Sequence, residues 1–152
     1  MTLVNFGRLN LDSYLLELYV FYSALLCLKL LLMCGMVGLA RIYFKAVFNE
    51  EDSKYGSFSL KEDETVERYR RAHLNDLENI PVFLISSLLF ILTNPTYFWA
   101  LWVFRVYFFT RIGHTFMYCF VKSTVFRIVF YDTGLYINIF IILRILYFFY
   151  TV

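Results

Sequence analysis

Charge is scarce in this chain. Asp, Glu, Lys and Arg make up 17% of the 152 residues, while 61% are apolar and 22% aromatic, and the mean hydropathy is +0.63. A soluble domain carries about a quarter of its residues charged. A water-exposed globule is therefore excluded, and an integral membrane protein is the class left standing. The net charge is only +2, and the basic residues fall at span ends and inside spans rather than on one exposed face, which excludes a nucleic-acid binder. Cysteine is scarce as well. Cys27, Cys34 and Cys119 are odd in number, lie in apolar surroundings and show neither a CxxC pair nor metal-ligand spacing. They are expected to be small buried hydrophobes. There are two prolines, and Pro95 disqualifies Asn94-Pro95-Thr96 as a glycosylation sequon. No GxSxG, P-loop or GxGxxG occurs. Near the start, Arg8, Asp12 and Glu17 have no small-residue cleavage site behind them, so the first apolar segment is expected to stay as an anchor.

What is present is apolar length. The chain has room for about four spans of roughly 20 residues each and little else. Hydropathy places them near residues 14–39, 74–92, 97–118 and 125–150. The first is expected to continue as helix to Phe48, about 50 Å, which would overshoot the bilayer and carry Arg41 and Lys45 into water on one face. A polar loop near residues 49–65 follows, with Thr65 as the expected cap of the second helix and Pro81 a kink inside it. Thr93-Asn94-Pro95-Thr96 and Lys122-Ser123-Thr124 are tight connections, so neighbours run antiparallel. The expected fold is all-α: a single domain, residues 1–152, forming an up-down four-helix membrane bundle. Arg41, Lys45, Lys54, Lys61, Arg68, Arg70, Arg71 and Lys122 outweigh Arg8 across the membrane, which puts both termini on the non-cytoplasmic side.

A charge at the bilayer centre costs about 2.5–3.5 kcal/mol on insertion scales, so each intramembrane ionisable group needs a partner or a wet cavity. Internal ion pairs are expected for Lys29 with a carboxylate and for Arg105 with Asp76 or Asp132. Arg68 and Arg70, near the headgroups, read as interface anchors. His73, Asp76 and Glu78 do not make a metal site, because Asp76 and Glu78 lie about 200° apart around a helix.

The segment VERYRRAHLNDLENIP, residues 66–81, is different. Arg71, Asn75 and Glu78 stand at i, i+4 and i+7, and Arg111, His114 and Tyr118 at i, i+3 and i+7, each set one stripe on its helix. By the topology, Arg41, Arg71, His73, Asn75, Glu78, Arg111, His114, Tyr118 and Arg127 all fall in the cytoplasmic half. They are expected to line one pocket, rich in guanidinium, with a carboxylate to receive an ammonium. Such a pocket suits a small anionic ligand bearing one amine.

At these residues the chain resembles the MAPEG family, the membrane-associated proteins in eicosanoid and glutathione metabolism. Val66-Glu67-Arg68 and Arg71-Ala72-His73-Leu74-Asn75-Asp76-Leu77-Glu78-Asn79 look like its signature, backed by Lys29, Arg41, Asn49 to Asp52, Phe104-Arg105, Arg111-Ile112-Gly113-His114-Thr115 and Tyr118. The resemblance spans about residues 20–131, the last span matching in hydropathy alone. It implies a homotrimer in the endoplasmic reticulum membrane, with mitochondrial outer membrane as a further location, holding glutathione as co-substrate in cytosol-facing sites between subunits, without a metal. The implied activity is that of the transferase branch, a detoxifying conjugation of the glutathione thiolate to hydrophobic electrophiles arriving through the lipid, with reduction of lipid hydroperoxides as a side activity. Arg41, Arg71, His73, Asn75, Glu78, Arg111, His114 and Tyr118 fall where the family contacts glutathione. Arg127 falls where it meets the sulfur. A free thiol titrates near 8.5, and keeping it ionised at neutral pH, a hundredfold shift, takes about 2.7 kcal/mol, within reach of one guanidinium in a partly dry site. Departures exist too: Leu74 replaces an arginine of the prostaglandin E synthase branch, Pro81 comes one position early, and residues 122–126 lack the proline-containing loop of close relatives. The alternative is a non-catalytic lipid-binding scaffold of the same architecture; a channel is the weakest reading, with no discontinuous helix or internal repeat.

Overall fold

The computed structural model describes residues 4–6, 9–47, 51, 54, 59–60 and 63–151. Arg8, Asn49, Asp52 and Lys61 lie outside them. Four helices account for most of the described chain: α1 (Ser13–Phe44), α2 (Glu64–Leu92), α3 (Tyr97–Phe116) and α4 (Thr124–Thr151). Two small strand pairs flank α1. Val4–Phe6 (β1) and Leu9–Leu11 (β2) form an antiparallel hairpin before it, and Ala46–Val47 (β3) lies parallel to Ser59–Leu60 (β4) after it, with Ala46 opposite Ser59.

Local chemistry sets the helix ends. Asp12 caps α1 by accepting the Tyr14 amide at 2.9 Å. The helix stops at Phe44, short of the expected Phe48, because Lys45 adopts a left-handed backbone (φ 51°) and its amide closes on the Arg41 and Ile42 carbonyls. That turn buries Ala46 completely beside Ala40 and Val66, so the chain folds back onto the foot of α2 instead of projecting into water. The cap of α2 is Asp63, whose carboxylate accepts the Thr65 and Val66 amides at 2.9 and 3.2 Å; Thr65, the expected cap, is a capped residue. Pro81 lies inside α2 without ending it, and the Tyr107 hydroxyl of α3 donates to the Asn79 carbonyl just ahead of it at 2.9 Å. Residues 93–96 make the tight α2–α3 turn, with Asn94 left-handed at φ 51°. At its far end α3 widens into a π-helical turn, Met117–Val121, before Lys122 (φ 59°) reverses the chain into α4. The expected third span, to residue 118, therefore changes helix type at its last turn.

Packing follows helical periodicity. Leu15, Leu18, Tyr22 and Leu26 bury one face of α1 against Ile80, Phe83, Phe90 and Ile91 of α2, and Ala100, Phe104 and Tyr107 of α3 with Ile141 of α4 complete the core. Phe83 and Tyr107 stack face to face with centroids 3.6 Å apart. The outward faces are apolar as well, exposing for example Leu31, Leu39, Ile85, Trp99, Phe109 and Leu143. A surface of this kind needs lipid or a partner. Helices α1, α2 and α4 are long and apolar enough to cross a membrane; α3, at 20 residues, has a length that also matches a bilayer and carries Arg105 and Arg111 among Tyr and Trp.

Candidate functional site

One end of the bundle collects the last turns of α1, the first half of α2, the last half of α3 and the first turns of α4. Lys29 of α1 is paired with Asp76 of α2 and donates at 2.8 Å to the Thr115 hydroxyl of α3. All three are buried. The expected carboxylate for Lys29 is thus Asp76, which leaves Arg105 elsewhere: exposed on α3, it donates to the Tyr22 hydroxyl at 3.3 Å. The expected pairing of Arg105 with Asp76 or Asp132 does not form: among the described residues neither carboxylate lies within ion-pair distance of it, and Asp76 faces the interior, held by Lys29. Arg68 and Arg70, expected as headgroup anchors, pair along their own helix with Glu64 and Glu67. Of the cysteines only Cys119 is buried; Cys27 and Cys34 lie on the outer surface of α1, against expectation, since an apolar stretch in a membrane helix has no need to face the core.

Arg111 is the structural centre of the polar end. Fully buried, it reaches from α3 to both α2 and α4, donating through Nη1 to Asn75 Oδ1 at 3.3 Å and through Nη2 to the Phe130 and Tyr131 carbonyls at 3.4 and 3.5 Å. Among the described residues no carboxylate lies within ion-pair distance of it. One turn further along, His114 is buried with its ring 5.7 Å from that of Tyr118 and 6.3 Å from that of Tyr131. The Arg127 guanidinium lies 4.6 Å from the centroid of the half-buried Tyr118 ring, a cation–π contact that holds a positive charge at the start of α4. Asn75, Arg111, His114, Tyr118 and Arg127 are thereby joined by contact. Glu78, exposed on α2, lines a cavity of about 300 Å³ with Tyr131 and Asn138. Arg71 is exposed, while Arg41 and His73 are half-buried at the same end. Among the described residues no three His, Cys, Asp or Glu side chains converge as a metal ion would require.

Periodicity on α4 held a signal that sequence reasoning passed over. Arg127, Tyr131, Gly134 and Asn138 stand at i, i+4, i+7 and i+11, one face of a helix otherwise covered in large apolar residues, and this is the face that meets Arg111. Apolar outer faces on helices long enough to span a bilayer, with buried polar side chains gathered at one end, define a helical membrane bundle. The sequence model of the MAPEG family matches residues 19–149, and the chain belongs to that family. The match continues through α4, beyond the segment of about residues 20–131 in which the signature residues lie. Among curated proteins, microsomal glutathione S-transferase 1 of Mus musculus is 38% identical over 73% of this chain and 76% of its own length. The Homo sapiens protein of the same name is 35% identical over 71% and 74%. Prostaglandin E synthase of Equus caballus is 35% identical over 68% and 69%.

Proposed function

We propose that this chain is a membrane-bound glutathione transferase, one domain over residues 1–152, working as a homotrimer in the endoplasmic reticulum membrane with cytosol-facing sites between subunits. The observation that carries the reading is the pair Arg111 and Arg127 at one end of the bundle, Arg111 wholly buried and Arg127 held on Tyr118, neither within ion-pair distance of a carboxylate among the described residues. Unneutralised arginines at a membrane end imply an anion from outside the chain. Glutathione carries two carboxylates, one ammonium and one thiol, and each has a receiver here. Arg41 and Arg71 take the carboxylates, Glu78 the ammonium, and Asn75, His73 and His114 the peptide groups, while Arg127 and Tyr118 face the sulfur. Names carried by relatives support the co-substrate, and Leu74, where the prostaglandin E synthase branch has arginine, favours general conjugation.

The reaction needs little from the protein beyond electrostatics. Arg127 stabilises the thiolate, the sulfur lone pair forms the C–S bond to an apolar electrophile arriving from the lipid, and the leaving group departs with its electron pair. With a lipid hydroperoxide the same thiolate attacks the distal oxygen, breaking the O–O bond to give a glutathione sulfenic acid and the lipid alkoxide, which takes up a proton as the alcohol; a second glutathione thiol then displaces water from the sulfenic acid and leaves glutathione disulfide. Purified protein in lipid, given glutathione and an aryl halide, tests the proposal while ultraviolet absorbance tracks the thiolate. Arg127→Ala is expected to keep glutathione binding and lower turnover by about two orders of magnitude. An unchanged thiolate signal would move the sulfur role to Arg111. Absence of glutathione binding at millimolar concentration would discard the enzyme and leave a lipid-binding scaffold.

A further inference from the structure

Gly134 is the one glycine of α4, and it is buried. A glycine in a membrane helix ordinarily lets two backbones approach closely. Here the surroundings say otherwise. A Cβ built at Gly134 would collide first with Arg111 Nη2 and then stand 3.0 Å from its Cζ and 3.2 Å from its Nε; the nearest three atoms all belong to that one guanidinium, and none to backbone. The space left by the missing side chain is occupied by the planar head of Arg111.

That head is held by three hydrogen bonds of 3.3 to 3.5 Å, at the long end of the useful range, so a displacement of a few tenths of an ångström breaks them. One of them decides the orientation of Asn75. A guanidinium only donates, so the atom facing Arg111 must be the amide oxygen, which turns the Asn75 amide nitrogen away from it. The Asn75 carbonyl is fixed separately by the Asn79 amide at 2.8 Å, so the side chain is what remains free to turn. Arg111 itself is fully covered within the subunit, whereas Asn75 is half-exposed.

We infer that Gly134 is a positioning residue of the glutathione site: it leaves the room in which Arg111 lies, and Arg111 in turn holds the Asn75 amide with its N–H groups presented to an acceptor oxygen of the ligand. This rests on the function proposed above. The test is a double-mutant cycle in the full-length protein in lipid, reading glutathione affinity and thermal unfolding together. Gly134→Ala replaces glycine with the best helix former, so lost binding does not follow from helix propensity. The expected result is a loss of about tenfold in glutathione affinity, the scale of one hydrogen bond, with the ionisation of the bound thiol unchanged. In an Asn75→Ala background the same substitution is expected to cost nothing further. Should Gly134→Ala fail to assemble, Arg111→Lys, which withdraws the planar fork and leaves Gly134 in place, takes its position in the cycle with the same non-additivity expected. Wild-type affinity in Gly134→Ala, or losses that simply add, would overturn the inference while the transferase reading stands. A wild-type protein that binds no glutathione would overturn both.

Discussion

Lys29 and Asp76 form the most deeply buried ion pair among the described residues, joining α1 to α2 with the Thr115 hydroxyl of α3 completing the group. Removing one partner of a buried pair leaves the other charge stranded, which costs about 3–5 kcal/mol, whereas replacing both with apolar groups is often neutral. Lys29→Met is therefore expected to lower the thermal unfolding midpoint in detergent sharply, and Lys29→Met with Asp76→Leu to recover most of it. A single variant as stable as the wild type would show that the pair contributes nothing to the fold. The pair also marks where residue-level reading of the sequence ran out. Hydropathy identified Lys29 as needing a carboxylate without naming one and offered Arg105 either Asp76 or Asp132, because periodicity assigns a residue to a helical face without saying which neighbour that face meets. Only the packed bundle separates them, turning Asp76 inward and Arg105 out to the Tyr22 hydroxyl.

At the scale of elements, the four helices were legible because apolar length is a strong signal, and their ends were less so because each end depends on one or two residues. The turn after α1 is an example. Lys45 in a left-handed conformation is invisible to hydropathy, and it is held by the burial of Ala46 against α2 rather than by any glycine. The π-helical turn at 117–121 is another, since nothing in MYCFV departs from ordinary helix formers. The stripe Arg127, Tyr131, Gly134, Asn138 was available to a period count but was hidden by the aromatics on either side of it. For α2 the decisive end residue is Asp63, which satisfies two of the orphan amides of the first turn. Asp63→Ala is expected to cost about 1 kcal/mol. It should appear as faster hydrogen exchange at residues 64–67, with Asp63→Asn retaining most of the protection. If both variants exchange at the wild-type rate, the turn is held from elsewhere, for instance by the Val66 contact with Ala46.

For the whole molecule, the proposed function turns on which side of the membrane the polar end faces, since it requires a hydrophilic co-substrate to reach that end from the cytosol. Among the described residues that end carries Arg41, Lys45, Arg68, Arg70, Arg71, Lys122 and Arg127, and the opposite end has Arg144. By the positive-inside rule this asymmetry is expected to put the basic end in the cytosol. Lys54, in the loop, and Thr96, in the α2–α3 turn, are both exposed and stand on opposite sides of this division. Thr96 makes no side-chain cap hydrogen bond, so exchanging it perturbs little. With Cys27, Cys34 and Cys119 replaced by Ala, Lys54→Cys in sealed microsomes with the cytosolic face outward is expected to react with a membrane-impermeant maleimide. Thr96→Cys is expected to react only after detergent is added. The opposite pattern would put the guanidinium cluster on the non-cytosolic face, cut off from cytosolic glutathione, and the proposed site would then have to be served by an anion of that compartment.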